Sequence, residues 1–465
     1  MFGKTEKIHL IGIGGYGMSA LAKLLLELGY SVSGSDLNNS DITRHLMEMG
    51  AEITFGHSAK NVEGRDIIIY STAIPEENDE LRAGREKGNA LHRSELLARF
   101  LNANIGIAVT GAHGKTTTTT MLALIMEKGG LDPTALIGGE VQDFSGTARL
   151  GRSKYVVAEA DESDQSFARY RPWCSIITNI EADHLEHYNG NFEDLLSGYA
   201  LYLANIAPEG FLVIPARDQW IDTILGQARC RQIRFGLGKG DYQARDVVLK
   251  PLSSEFQLCK GEQLLGNITL GVPGKYNILN ALAAAAAALE LGVDFAAVQK
   301  ALAAFKGAKR RFQVLAREPF MIIDDYAHHP TEVRATLEAA RILGTGRLIA
   351  IFQPHRYTRT KYFLEDFARS FQNADIVILD NIYAASELPL PGVSTQALAE
   401  KIAAVHRGQV LHLKGLQTIV QWIRNNWRQG DVIVTMGAGD ISLAGHKLAE
   451  ICKQQLAGNC LPKVE

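Results

Sequence analysis

Residues 110–117 read Thr-Gly-Ala-His-Gly-Lys-Thr-Thr, a spacing suited to holding phosphate. Gly111 and Gly114 let the backbone N–H groups of Ala112, His113 and their neighbours approach an anion. Lys115 adds a point charge, and Thr116, followed by Thr117, offers a hydroxyl of the kind that ligates Mg²⁺. A standard P-loop carries one more glycine where this chain has Val109, so the motif is the shorter Thr-Gly-x-x-Gly-Lys-Thr. The plain alternative, a glycine turn beside a surface lysine, leaves Thr116 without a use. The stretch is read as an ATP site.

Other stretches carry candidate chemistry. Glu159 follows an apolar run and opens Glu-Ala-Asp-Glu-Ser-Asp; a carboxylate ending a strand there suits a Mg²⁺ ligand, although four acids in six residues also describe a solvated loop. His184 and His187 stand three apart among acids and fit either metal ligands or surface residues. Asn277 and Asn280 cap a helix or read a base edge. Near the start, Gly12-Ile13-Gly14-Gly15-Tyr16-Gly17 fits G-x-G-x-x-G, and Asp36 lies 19 residues beyond Gly17, where a dinucleotide fold places its ribose carboxylate. NAD-type binding and a tight glycine turn in an ordinary βαβ unit both explain that pattern. Ser71-Thr72 end an apolar run and suit a ligand crevice or a capped turn.

The elements that must position these residues follow from periodicity. Apolar runs at 7–13, 31–34, 66–70, 107–109, 155–158, 174–178, 320–323, 348–352, 376–379 and 432–435 read as strands. Helices are expected from 18 to 28, from Lys115 through 126, and over the alanine-rich stretch ending near Gly292. This alternation predicts an α/β chain with mainly parallel sheets and functional loops at strand C-termini. It divides into units at 1–102, 103–310 and 311–465, and a length of 465 residues allows about three domains. The net charge of −3 supplies no global basic field for nucleic acid or an anionic membrane surface. The longest apolar run, 281–289, is far too short to span a bilayer, and the glycines after 7–13 mark a first strand rather than a signal peptide. Five scattered cysteines without a C-x-x-C pair predict a reducing compartment, and the cytoplasm is expected. Oligomeric state is not legible.

Taken in order, residues 12–17, 110–119, 159–164, 178–184, 276–280, 310–312, 324–332 and 353–360 resemble the Mur ligase family over nearly the whole chain. The resemblance implies an ATP-dependent amide ligase acting through an acyl phosphate on a nucleotide-linked cell-wall precursor. It implies a Rossmann-like N-terminal UDP-binding domain, a central P-loop ATPase-like domain and a C-terminal Rossmann-like domain that takes the amino acid. The first glycine loop is then expected to hold UDP rather than NAD, through Gly12, Gly14, Gly15, Gly17, Asp36, Ser71 and Thr72.

Lys115, Glu159 and His184 match catalytic positions, with Mg²⁺ on Thr116, Glu159 and His184. Asn277, Asn280, Arg311 and Asp325 match contacts to ATP. Tyr326, His328, Arg356 and Arg359 match positions near the incoming amino acid, and two arginines three apart suit carboxylate capture or, blandly, solvated surface. His328 is the candidate base, with adjacent His329 as the open alternative. The 355–360 stretch favours L-alanine as the amino acid and UDP-N-acetylmuramate as acceptor, over a recycling member that adds a ready-made peptide. Ala112 and Tyr276 depart from the residues usual in the family. A nicotinamide dehydrogenase would leave residues 111–116 idle, and a non-catalytic nucleotide-binding regulator would have no use for Arg356 and Arg359.

Overall fold

A computed structural model describes residues 3, 5–141, 144, 146–163, 165–344, 346–385 and 387–456; Asp164 of the acidic stretch and Cys460 lie outside the described residues. The first sheet comprises β1 (Lys7–Ile11), β2 (Ser31–Asp36), β3 (Glu52–Phe55), β4 (Ile67–Tyr70) and β5 (Ala90–His92), ordered β3-β2-β1-β4-β5 with every neighbouring pair parallel. β1 is central, so Ile8, Leu10 and Ile11 are buried and read as a continuous apolar run. Strand order reverses at β1, which places the loop after it at a switch point, the usual position of a ligand crevice. The next helix, Tyr16–Glu27, starts two residues earlier than periodicity predicts, with Gly15 as its N-cap. Gly17 therefore lies inside the first helical turn.

The second sheet adds β6 (Ile105–Thr110), β7 (Thr134–Val141), β8 (Gly146–Arg149), β9 (Tyr155–Glu159), β10 (Cys174–Ile177), β11 (Phe211–Pro215), β12 (Arg231–Leu237), β13 (Tyr242–Lys250), β14 (Ser253–Lys260) and β15 (Gln263–Leu270). Their order is β15-β14-β13-β12-β11-β10-β6-β9-β7-β8. β6 runs parallel to β9 and β10, and Val109 is level with Glu159 on one side and Ile176 on the other. Three strand ends therefore open on one edge, where the phosphate loop leaves β6. Helix Lys115–Lys128 lies against this sheet without a polar stripe, since its residues 116–126 are all buried, and residues 280–288 of helix Lys275–Glu290 are likewise all buried. Threonine and alanine suit such enclosure because their small side chains allow close packing. None of the apolar runs read as strands falls between 211 and 270, where β11–β15 lie.

The third sheet holds β16 (Gln313–Ala316), β17 (Met321–Asp325), β18 (Leu348–Phe352), β19 (Ile376–Leu379), β20 (Gln409–His412) and β21 (Val432–Met436), ordered β16-β17-β21-β18-β19-β20. β16 is antiparallel to β17 and the other pairs are parallel. Asp325 and Phe352 are both level with Met436, so the loops after β17, β18 and β21 emerge together.

The residues group into two compact units: one holds residues up to Val247 with Phe256–Leu270 and Asn277–Ala308, the other Val248–Glu255, Gly271–Tyr276 and the chain from Lys309. The first sheet and β6–β11 belong to the first unit and share one apolar core. Within it, helix Tyr16–Glu27 docks on β7 and β8, with Ser19 Oγ 3.2 Å from Thr147 Oγ1. In the second unit two apolar clusters are built on alternate residues of the third sheet's strands. No helix among the described residues is long and apolar enough to cross a membrane.

Candidate active site

The phosphate loop is shaped by two glycines that no other residue replaces cheaply. Gly111 has φ +128° and Gly114 φ +86°, and Gly114 is the N-cap of helix Lys115–Lys128. A Cβ on Gly111 would lie 2.2 Å from Thr178 Oγ1, and one on Gly114 would lie 2.4 Å from Asn280 Oδ1. The loop is braced from the end of β10: Asn179 Oδ1 accepts the His113 N–H at 3.0 Å, while Thr178 Oγ1 and Asn179 Nδ2 donate to the His113 carbonyl. Asn277 and Asn280 are buried inside helix Lys275–Glu290, its third and sixth residues, so neither is its cap. Asn280 reaches the loop directly, and Thr117 is buried.

Lys115 Nζ donates to the Gly111 carbonyl at 2.7 Å and to both Glu162 oxygens at 2.7 and 2.9 Å. Burial alone would lower its pKa, but the carboxylates of Glu162, Asp161 and Glu159 outweigh that and raise it. The lysine is a held cation. Thr116 Oγ1 donates to Glu159 Oε2 at 3.2 Å, and the Gly138 N–H fixes Glu159 Oε1 at 2.6 Å. A hydroxyl and a carboxylate side by side at the phosphate loop are hard oxygen donors of the type Mg²⁺ takes, so the residues fit that ion. His184, in the left-handed region at φ +57°, has Nε2 3.6 Å from Asp183 Oδ2, the carboxylate–imidazole pairing seen behind metal-binding histidines. His187 is exposed.

In the first glycine loop, Gly12 and Ile13 donate to the Ser35 carbonyl at 2.8 and 3.0 Å. Asp36 accepts the Gly14 N–H at 2.9 Å and the Asn38 N–H at 3.0 Å, closing the turn. Gly15 donates to the Gly12 carbonyl, and Ser71 and Thr72 form the turn after β4, whose Ile74 side chain approaches Gly12. The Arg93 guanidinium stands against Gly17 and donates to Asp161 at 2.9 Å. Burial opposes the Asp161 charge, yet Arg93 and Lys115 hold its pKa well below the usual carboxylate range. An ion pair thus joins the start of helix Arg93–Asn102 to the acidic stretch.

In the second unit, Asp325 is buried and accepts the Phe312 and Ala327 N–H groups at 2.7 and 2.8 Å. Burial, opposed by Arg311, pushes its pKa up to about 6. Arg310 and Arg311 both lie over the Tyr326 ring, at 5.0 and 5.3 Å. His328 Nδ1 is 3.0 Å from the Tyr326 carbonyl. A carbonyl can only accept, so the neutral ring carries its proton on Nδ1 and its lone pair on Nε2. His329 instead caps helix Pro330–Arg341, buried against Phe363, which separates the two candidate bases. Arg359, buried, donates to His355 Nδ1 at 3.2 Å, and His355 stacks on Tyr383 at 5.7 Å. Arg356 holds φ +69°, and its N–H donates to the Tyr383 carbonyl at 2.8 Å. Such backbone strain gathers at functional sites.

The residue types and spacing alone give no role to Glu162, Asn179, Arg93, Glu332, His355 or Tyr383. Glu162 lay within the acidic stretch, but nothing in its spacing marked it as the partner of Lys115. Glu332 accepts the His328 N–H at 3.0 Å and was visible only as part of a motif. Tyr383 had no sequence signal.

A phosphate loop with a carboxylate-held lysine, in an α/β chain of three sheets, has clear counterparts. The Mur ligase family, catalytic domain, matches residues 7–104; the Mur ligase middle domain matches 109–288; and the Mur ligase, glutamate ligase domain, matches 310–439. The chain belongs to the Mur ligase family. A UDP-N-acetylmuramate–L-alanine ligase of Desulforamulus reducens is 44% identical over 96% of this chain and 98% of that protein. The UDP-N-acetylmuramate-alanine ligase structure from Thermotoga maritima superposes with a TM-score of 0.82 at 29% identity, covering 97% of this chain and 99% of that one. A murein peptide ligase from Psychrobacter arcticus gives a TM-score of 0.71 at 26% identity, over 98% and 100%.

Proposed function

We propose that this chain is the ligase that joins L-alanine to the carboxylate of UDP-N-acetylmuramate, driven by ATP through an acyl phosphate. The observation that carries it is the pairing of partly buried Lys115 with buried Glu162 beside Thr116–Glu159, in a chain 44% identical over nearly its whole length to an L-alanine ligase. We assign UDP-sugar binding to residues 1–102, ATP binding to 103–310 and amino-acid binding to 311–465.

A carboxylate accepts an amine only after its oxygen becomes a leaving group, and transfer of the γ-phosphoryl group supplies one. That transfer between anions is chiefly a matter of positioning and charge neutralisation. Lys115 and the N–H groups of the loop at 111–117 hold the β- and γ-phosphates, and Lys115 passes from Glu162 to phosphate oxygen as they bind. Mg²⁺ held by Thr116 and Glu159, and a second ion at His184, would supply the remaining neutralisation. Asn277, Asn280, Arg311 and Asp325 serve the nucleotide. Gly12, Gly14, Gly15, Gly17 and Asp36, with Ser71 and Thr72, serve the UDP moiety. Arg356 and Arg359 hold the alanine carboxylate beside Tyr326, while His328 Nε2 takes the ammonium proton so that nitrogen attacks the acyl phosphate and phosphate leaves. The four described cysteines are buried thiols, which supports a cytoplasmic setting.

Phosphate release from ATP with UDP-N-acetylmuramate, with and without L-alanine, tests the reading. Release that needs both is expected. Turnover only with a tripeptide would identify the recycling reaction instead, and release with neither acceptor would overturn the ligase assignment.

A further inference from the structure

Beneath the first glycine loop lies a charged cluster that no step above uses. Glu80, on helix Asp79–Glu86, is 0% exposed. Its Oε1 accepts Asn61 Nδ2 and, at 3.2 Å, the Ser58 N–H. Its Oε2 accepts the Ser35 hydroxyl and lies 3.6 Å from His9 Nε2 and 3.4 Å from His57 Nδ1. His9 is itself buried, with Nδ1 3.0 Å from Ser33 Oγ. Burial alone would raise the Glu80 pKa, but the bonds from His9, Ser35, Asn61 and Ser58 hold it at about 2. It is an anion sealed in the first unit.

As core filling this is a poor choice, because a buried charge loses hydration that an apolar residue would not need. Its partners show what it fixes. Ser35 turns its carbonyl to the Gly12 and Ile13 N–H groups, and the next residue, Asp36, holds the Gly14 N–H. His57, 3.1 Å from Ser35 Oγ, is partly exposed. One carboxylate thus ties the end of β2, the segment 57–61 and its own helix at the point where the glycine turn is pinned.

We propose that Glu80 is a positioning residue for the sugar nucleotide: by fixing Ser35 and the His57 ring, it sets the glycine turn at residues 12–14 in the shape that receives the diphosphate. This rests on the reading of that turn as the UDP site.

The test is steady-state kinetics on the whole enzyme. Glu80→Gln keeps the shape and removes the charge. Loss of a charged hydrogen bond behind the turn should raise KM for UDP-N-acetylmuramate by about tenfold or more, with kcat and the KM for ATP within about twofold. Glu80→Asp should recover part of the loss. Ser35→Ala, which removes only the hydroxyl between Glu80 and the turn, should show the same selective rise and serves if Glu80→Gln fails to fold. Gly14→Ala is the control, since its Cβ would meet Asp36 Oδ2 and Thr43 Cγ2 at 2.9 Å each. If Gly14→Ala raises that KM and neither Glu80→Gln nor Ser35→Ala does, the role of Glu80 is overturned and the UDP site stands. If none of them moves it, the UDP site itself is wrong. A Glu80→Gln loss that falls equally on ATP or on kcat marks a merely structural residue and also overturns the proposal.

Discussion

Lys115 and Glu162 form a pair in which each side chain makes the other's burial tolerable. Removing one partner of a buried pair typically costs about 3–5 kcal/mol, because the other charge is stranded. Lys115→Met should therefore lower the unfolding midpoint, and Lys115→Met with Glu162→Gln should recover much of it. Activity should follow a different pattern: both variants should lose about a hundredfold or more in kcat, the usual consequence of removing a group that stabilises transferring charge. Binding of UDP-N-acetylmuramate by calorimetry should be unchanged. Recovery of turnover in the double variant would contradict the phosphate-binding role. Asp325 gives a pH signature. Its pKa rises from 3.8 unfolded to about 6 folded, so between those values the folded state binds the proton more tightly. Its contribution is fully present below pH 3.8 and is lost as pH rises through about 6, a swing on the order of 3 kcal/mol. Urea unfolding at pH 4 to 7 should show Asp325→Asn gaining on the natural chain as pH rises; a gap independent of pH would refute the shift.

At the scale of elements, the phosphate loop depends on backbone conformations that glycine alone adopts without strain. Gly114→Ala meets both a left-handed φ and Asn280 Oδ1, whereas Gly130→Ala has a similar φ of +77° and nothing within 4 Å of its Cβ. Both should lose about 1–2 kcal/mol of stability from the backbone alone. Only Gly114→Ala should also raise KM for ATP, by about tenfold or more, since it displaces a loop donor as well. Equal effects of the two on KM would show that Asn280 and Gly114 are not coupled. These loops were legible because each ends a short apolar strand with glycine and a charged residue at fixed spacing. Glu162, Arg93 and Tyr383 were not, because their partners lie 47, 68 and 27 or more residues away and folding alone brings them together. β13 escaped for another reason. It mixes Gln243, Arg245 and Asp246 among its apolar residues, so neither a clean alternation nor a chemical motif marks it. The helix starting at Tyr16 shows the limit of boundaries read from sequence, since its Gly15 cap has no capping side chain to announce it.

At the scale of the whole molecule, the proposed chemistry is divided between the units. Lys115, Thr116, Glu159 and His184 belong to the first, while Tyr326, His328, Arg356 and Arg359 belong to the second. On the proposed reading each set has its own logic: the first moves a phosphoryl group, and the second holds and deprotonates an amino acid. The two are linked only if the acceptor carboxylate is itself phosphorylated before the amine attacks. That is the central claim, and oxygen labelling tests it most directly. UDP-N-acetylmuramate carrying oxygen-18 in both carboxylate positions is turned over with ATP and L-alanine, and the released phosphate is weighed by mass spectrometry. An acyl phosphate places one carboxylate oxygen between carbon and phosphorus, so each phosphate should leave with one heavy oxygen and the new amide should keep the other. Unlabelled phosphate at full turnover would contradict the account, because ATP would then have been cleaved without ever activating the carboxylate.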